Sequence, residues 1–383
     1  MLPTLLIFSV LLLLALLPTL YVRYVLCKQW TSRWRPICWL PFALIAAVLI
    51  LMIWFVYSTA FLRLFTFIVM CVIFPAIVFT VVSGIGWLLA RKWPKAFRWV
   101  NLSAYVLCAA AFLMMLYGVC FGWKQLTVKH VDLQFENLPE SFEGYRIVQL
   151  TDMHVGAYGT NTAFVERVVE RTNALQPDMI VFTGDLVNLS ANEIAPFVSV
   201  LSRLKAPDGV YSVLGNHDYC QYGFDKSKEQ QVAELNRVKE TEIAMGWNLL
   251  EDTHRIVYRA SDSLAIAGVG NISKPPYIHA GDLDKAMTGL SDSVFTILLS
   301  HDPTHWRMEV LEQSAVDLTL SGHTHAGQVK VGSWSPAAMS YKEWSGLYEE
   351  KGRYLYVSEG LGGTFPFRLG ATPQIIEITL HRK

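Results

Sequence analysis

Ile147-Val148-Gln149-Leu150-Thr151-Asp152-Met153-His154 is an apolar run that ends directly in two metal-ligand residues. The pattern recurs. Met179 to Phe182 runs into Thr183-Gly184-Asp185, and Val210 to Leu214 into Gly215-Asn216-His217-Asp218. Ile297 to Leu299 runs into Ser300-His301-Asp302, and Leu318 to Leu320 into Ser321-Gly322-His323-Thr324-His325. Short apolar runs of this kind read as buried strands, and in an α/β sheet the strand ends build the site. Five ends delivering Asp, His and Asn in turn imply a metal centre, and more specifically a pair of ions.

Ahead of these runs the chain has a different texture. Residues 1–122 carry nine Lys/Arg and no Asp or Glu, although the 383-residue chain has zero net charge. The remainder therefore carries a balance of −9, which excludes the basic face of a nucleic-acid binder. Four uncharged segments, about 2–21, 37–57, 64–89 and 100–122, meet the length of roughly 20 apolar residues for a bilayer span. Buried soluble helices would keep a polar face, and these do not. Arg23, Lys28, Arg33 and Arg35 crowd the first loop, and Arg91, Lys92, Lys95 and Arg98 the third, while the second holds only Arg63. The positive-inside rule puts loops one and three in the cytoplasm. The expectation is a multi-pass integral membrane protein with both termini and the C-terminal domain outside the cytoplasm. Trp30, Trp34, Trp93 and Trp99 stand near span ends as interfacial anchors. Five of the six cysteines lie in this third and only Cys220 beyond it, so the second part forms no internal disulfide.

From about Lys124 strands and helices alternate. Val128–Phe135 predicts an edge strand. Helices are expected over Asn161–Leu175, Glu193–Leu204 and Glu229–Met245, and later strands near Ile256–Ala260, Ser263–Val269, Val329–Val331, Tyr354–Val357 and Gln374–Leu380. The pattern predicts an α/β domain over 124–383, with two sheets and helices outside.

Asp and His suit hard-to-borderline divalent ions, and the lack of thiolate argues against a purely structural zinc site. Asp152 and His154 chelate one ion from a single strand end. Asp185 follows Gly184, where the missing Cβ allows close approach, and its two oxygens can bridge two ions. Asn216, His301 and His323 supply the second ion, and His325 completes the first. Two ions about 3.5–4 Å apart suit in-line attack on phosphorus.

In these motifs and their order the chain resembles the calcineurin-like metallophosphoesterase superfamily, in its bacterial membrane-linked branch, over roughly Val128 to Leu380. The tail pattern Trp344-Ser345-Gly346-Leu347-Tyr348 followed by Tyr356 to Gly362 is similar too. The resemblance implies a four-layer α/β/β/α sandwich behind an all-α four-helix transmembrane region. It implies two divalent ions (Mn, Fe or Zn). One is held by Asp152, His154, Asp185 and His325, and the other by Asp185, Asn216, His301 and His323. His217 would face the substrate and protonate the leaving oxygen or stabilise the phosphoryl charge, with Asp218 orienting it, although a helix or turn cap explains Asp218 nearly as well. Two positions depart from the pattern. Asn188 stands where relatives often have Asp, and Glu359 where they often have Arg, which leaves the substrate class open; Arg368 is a candidate replacement. His254, His279 and His381 read as surface residues and His305 as packing. Trp334, Tyr341, Trp344 and Tyr348 read as packing ahead of a substrate rim.

The expected activity is hydrolysis of a phosphomonoester or phosphodiester by metal-activated water, with membrane lipids as neighbours. Two alternatives stand beside it. One is hydrolysis of a lipid-linked pyrophosphate of the nucleotide-diacylglucosamine type. The other is a non-catalytic metal-binding scaffold, which metal content per chain would discriminate.

Overall fold

Period-2 burial sorts the central runs into strands with two apolar faces. In Tyr145–Leu150, Ile147 packs into one cluster and Val148 and Leu150 into another; Met179–Phe182 divides in the same way. The computed structural model describes all residues except 1, 29–32, 56–57, 223–225 and 276, and no side chains for 2–8, 35 and 52–54. The chain forms two compact units. Met1–Gly122 with Phe365–Leu369 makes the first, and Trp123–Thr364 with Gly370–Lys383 the second.

The second unit contains strands β1 (Thr127–Phe135), β2 (Tyr145–Leu150), β3 (Met179–Phe182), β4 (Val210–Ser212), β5 (Asn248–Leu249) and β6 (Thr253–Arg259). It continues with β7 (Asp262–Gly268), β8 (Thr296–Leu299), β9 (Leu318–Ser321), β10 (Gly346–Glu350), β11 (Arg353–Val357) and β12 (Gln374–Arg382). One sheet has the order β1-β12-β2-β3-β4-β5, the other β10-β11-β9-β8-β7-β6. Strands β2 to β5 are mutually parallel, as are β7, β8, β9 and β11. The five ligand-bearing ends therefore belong to neighbours: β2, β3 and β4 in one sheet, β8 and β9 in the other. Strand β1 lies at an edge, as its alternation predicts.

Three apolar clusters account for the packing. Ile147, Val181 and Val213 of the first sheet share one with Ile266, Ile297, Leu299 and Leu320 of the second. The opposite face of the first sheet (Val148, Ile180, Phe182) packs with Phe164, Val168, Leu201 and Val238 from helical segments. Leu298 and Val357 of the second sheet pack with Leu283, Trp306 and Val310. Each fully buried Leu, Ile, Val or Phe contributes about 1.5–3 kcal/mol.

Helices Ala163–Ala174 and Lys228–Ala244 form where periodicity predicts them. The second starts with a capping box, in which Ser227 and Gln230 satisfy each other's backbone N–H. The helix expected over Glu193–Leu204 is instead a 3-10 turn, Ala191–Phe197, followed by the short α-helix Val198–Leu201. Pro196 lacks the N–H that an α-helix needs there. Val329–Val331 is not a strand. Gln328 and Gly332, both at positive φ, bend the chain on either side, leaving single bridges in place of a strand, one of them from Val331 to Trp334. The edge strand β10 was not anticipated, because Gly346-Leu347-Tyr348-Glu349-Glu350 carries no apolar run.

Helix Lys228–Ala244 places a buried Glu242 under β4, where Ser212 Oγ donates to it at 2.6 Å and Oε1 has no partner. Burial, then the charge of Asp218, lift its carboxyl well above the usual range. The unfolded chain therefore releases this proton first, and stability falls as pH rises above about 4.5. Glu242→Gln should be more stable than the parent at alkaline pH, by up to about 1.4 kcal/mol per pH unit. The difference should vanish near pH 4, as thermal melts across pH would show.

Among the described residues three helices are long and apolar enough to cross a membrane: Ser9–Leu26, Thr59–Leu89 and Ala96–Lys124. At the second expected span lie a 3-10 turn, Arg35–Trp39, and helix Leu40–Phe55, and Pro36–Leu51 is an apolar helical stretch among the described residues. Its last two expected residues, 56 and 57, and the anchor Trp30 lie outside the described residues. The other two start earlier than hydropathy predicts, since backbone hydrogen bonding continues past the apolar stretch; Ser58 caps the helix from Thr59 by accepting from Phe61 N. Buried Ser83 joins Tyr21 (2.7 Å) and Asn101 (2.6 Å) in one polar chain across three helices, the usual glue between apolar segments. Arg91 lies over Trp87, and Lys92 and Arg98 over Trp93 and Trp99, at helix ends.

Candidate metal centre

The chain turns sharply after β2, β3 and β9, and these turns put ligand-type residues into the left-handed region. Asp152, His154, Asp185, His323 and His325 have φ between 46° and 73°. For non-glycine residues this costs on the order of 1–3 kcal/mol each, a strain that concentrates at functional sites. Two glycines allow the crowding. A Cβ on Gly322 would lie 2.2 Å from Asp152 Oδ2, and one on Gly184, itself at φ 95°, would lie 2.4 Å from Gly215 N.

The side chains converge in two groups. Ligand atoms of Asp152, His154, Asp185 and His325 lie within 4.8 Å of one another, and so do those of Asp185, His301 and His323. Asp185 belongs to both through one oxygen: Oδ2 is 3.5 Å from His154 Nε2 and 3.2 Å from His301 Nε2. Its Oδ1 accepts from His217 N at 2.8 Å. Asn216 Oδ1 joins the second group, 2.7 Å from His323 Nδ1 and 3.2 Å from His301 Nε2. Asp152 Oδ1 is 3.3 Å from His325 Nε2, and the same carboxylate accepts from His323 N and Thr151 Oγ1. All seven residues expected as ligands thus meet in one place.

The outer shell sets the tautomers. His154 Nδ1 donates to Val187 O (3.1 Å) and His301 Nδ1 to Thr183 O (2.7 Å), which leaves both Nε2 lone pairs facing inward. His323 is reversed: Nδ1 faces Asn216, and Nε2 contacts Tyr341 Oη at 2.8 Å. Tyr341 is therefore tied to the site rather than to packing alone. Tyr222 Oη likewise accepts from Asn216 Nδ2 (2.8 Å), and its ring lies 4.4 Å from that of His217.

The donor set fits divalent cations. His154 Nε2 and His325 Nε2 face each other at 3.2 Å, a contact between two ring nitrogens that needs a proton or a cation between them. Asp152, His154, Asp185 and His301 are at most 1% exposed, and buried charges without counter-charge are costly. The metal-free electrostatics are correspondingly divided. Burial, reinforced by Asp185, lifts Asp152 to about 6. Burial lowers His154 to about 3. Burial would raise Asp185, but the His301 and His217 imidazoles hold it well below the usual range. Burial opposes charge on His301, yet Asp185 carries it up to about 10.

Of the two readings of Asp218, the turn cap is the one its hydrogen bonds match. Its carboxylate accepts from Asp185 N (2.8 Å), Leu186 N (2.9 Å), Val187 N (3.1 Å) and Gly215 N (2.9 Å). It anchors the loop of Asp185 and does not orient the imidazole of His217. The partner of His217 Nδ1 is the backbone carbonyl of Asn188, at 2.7 Å. Glu193, which sequence reasoning passed over, accepts from Asn188 N (2.6 Å) and Leu189 N (3.0 Å). The available signal was Ser190-x-x-Glu193, a capping-box spacing. Here the carboxylate reaches past Ser190 to the two preceding N–H groups. Glu359 is buried against Lys330 and Ser345 Oγ (2.7 Å), with Lys129 at 3.7 Å. Two lysines match its charge.

A fold with parallel strands converging on paired Asp/His clusters defines a metallohydrolase. The profile of the calcineurin-like phosphoesterase family matches residues 145–327. A Bacillus subtilis (strain 168) protein named uncharacterized metallophosphoesterase YkuE is 30% identical over 252 residues, covering 63% of this chain and 81% of that protein. The chain belongs to the calcineurin-like phosphoesterases, a family of metal-dependent phosphoric ester hydrolases. A Danio rerio transmembrane protein with metallophosphoesterase domain is 28% identical over 278 residues, which cover 70% of this chain but only 61% of that protein. The Chlamydia trachomatis (serovar D) UDP-2,3-diacylglucosamine pyrophosphatase LpxG is 29% identical over 288 residues, 62% of this chain and 85% of that protein.

Proposed function

We propose that this chain is a membrane-anchored phosphoesterase with two divalent ions, built on a four-layer α/β/β/α sandwich. Asp152, His154, Asp185 and His325 would hold one ion, and Asp185, Asn216, His301 and His323 the other. The observation that carries this reading is the single Asp185 oxygen facing both groups. When bound, such a pair activates water for attack on phosphorus and neutralises phosphoryl charge. The chain's own residues do the rest. His217, its Nδ1–H held by Asn188 O, turns Nε2 toward the site and protonates the leaving oxygen. Asp218 fixes the Asp185 loop. Tyr222 and Tyr341 flank the second group and offer aromatic surface to the ester. The purified full-length protein should bind two ions per chain and hydrolyse an aryl phosphate when given Mn²⁺; absence of both overturns the reading.

A second reading, cleavage of a lipid-linked pyrophosphate, is favoured by the similarity to LpxG along most of that protein's length. Hydrolysis of a nucleotide-diacylglucosamine in mixed micelles distinguishes it. The loop charges put the catalytic domain outside the cytoplasm. Protease added to sealed right-side-out membranes should remove it, and a protected domain reverses the orientation.

A further inference from the structure

Among the described residues no carboxylate bonds the His217 ring directly, yet one lies a single peptide group away. The ring Nδ1–H donates to Asn188 O at 2.7 Å. That carbonyl shares its peptide group with the N–H of Leu189, which donates to Glu193 Oε1 at 3.0 Å. The other carboxylate oxygen, Oε2, takes the N–H of Asn188 at 2.6 Å. The turn is held from further points. Asn188 Nδ2 donates to Thr364 O (3.2 Å), Lys226 Nζ to Leu189 O (2.7 Å), and Ala191 N to Glu234 (2.7 Å). Gly156 gives the carboxylate its seat, since a Cβ there would lie 2.5 Å from Glu193 Oε2. An anion accepting from one end of a peptide group polarises it, and its carbonyl becomes a stronger acceptor.

The geometry points to Glu193 as the positioning residue for His217, acting through the Asn188–Leu189 peptide as a carboxylate–peptide–imidazole relay. It performs what a directly bonded carboxylate performs in an Asp–His pair. It fixes the ring so that Nε2 faces the ester. In the step served, the bond from phosphorus to the leaving oxygen breaks and that oxygen takes the Nε2 proton. The ring is left neutral with Nδ1–H still on Asn188 O. Asn188 then needs no acidic side chain, because its carbonyl makes the contact.

The inference rests on the reading of His217 as the proton donor, and the test separates the two. The full-length protein with Mn²⁺ is assayed at about pH 8 on two aryl phosphates. One has a poor leaving group (phenyl) and one a good one (dinitrophenyl), which needs no proton. Because general acids contribute roughly 10²–10⁴-fold, His217→Ala should lose about 100-fold or more on phenyl phosphate and far less on the dinitrophenyl ester. Glu193→Gln should show the same selectivity on a smaller scale, about tenfold against less than threefold, with metal content unchanged. The ratio between the two esters is independent of the fraction folded. Should Glu193→Gln yield no protein, Gly156→Ala, which displaces the carboxylate, should reproduce the selectivity. A selective His217→Ala beside an unselective or silent Glu193 variant overturns the relay and leaves the proton donor standing. An unselective His217→Ala overturns both.

Discussion

Asp185→Asn is expected to lower hydrolysis of an aryl phosphate by about 10³-fold or more and to reduce bound metal from two ions per chain to one or none. The loss follows from the double use of one atom. Oδ2 faces His154 Nε2 and His301 Nε2 together, so removing its charge weakens both groups at once. The electrophilic assistance that two ions give in phosphoryl transfer goes with it. Asparagine keeps the size and an oxygen able to accept from His217 N. The loop remains tied to Asp218 through backbone groups that the substitution does not touch. The fold should therefore survive, although the metal-free protein should melt lower, because buried His301 loses the carboxylate that stabilises its charge. Elemental analysis and turnover on the same sample make the check. Turnover within about tenfold of the parent, with two ions retained, removes the bridging role.

How much of this site was legible in the sequence depends on which physical signal each residue leaves. The clustering of the candidate ligands was legible because a buried parallel strand is a short apolar run, and a polar metal-type residue straight after it has few other reasons to be there. The order Asp152, Asp185, Asn216, His301, His323 repeats that signal five times. Which strand ends are neighbours was not legible, since β2-β3-β4 and β8-β9 meet only through the sheet orders. Nor was the left-handed backbone of Asp152, His154, Asp185, His323 and His325. Local propensity disfavours it, and only the surrounding structure imposes it. Asp218 was legible only as one of two readings, the turn cap, and the role of Glu193 was not legible. Both are carboxylates that accept backbone N–H groups from turns, and sequence spacing records such bonds only when they are local. Glu193 left a local trace in its spacing from Ser190, but that spacing points to the wrong partner, because its bonds run to Asn188 and Leu189. In the apolar third, composition showed helices but placed their ends poorly, since hydropathy tracks side chains while helix ends follow capping.

Asp218 carries the second large expectation, in stability. One buried carboxylate accepts four backbone N–H groups, three from consecutive residues of the Asp185 loop and one from Gly215 before Asn216. It ties the turn after β3 to the turn after β4, and so one ligand of each group to the other. Asp218→Ala strands four donors where water has no access, as the residue is fully buried. Unpaired buried groups cost about 1–3 kcal/mol each before relaxation, and loss of one partner from a buried charged network typically costs about 3–5 kcal/mol. For a domain of this size that is a melting temperature lower by roughly 10 °C. Asp218→Asn keeps one acceptor oxygen but turns an amide NH₂ toward N–H groups, so it should lose about half as much. Metal affinity should fall in step in both variants, because Asp185 and Asn216 lose their common anchor. His217 should behave differently: its Nδ1 stays on Asn188 O, and the relative rates on good and poor leaving groups should not move in the Asn variant. A shift in that ratio equal to the one from His217→Ala would place Asp218 back beside the imidazole; a melting temperature unchanged in both variants would mean that the four N–H contacts contribute nothing to the fold.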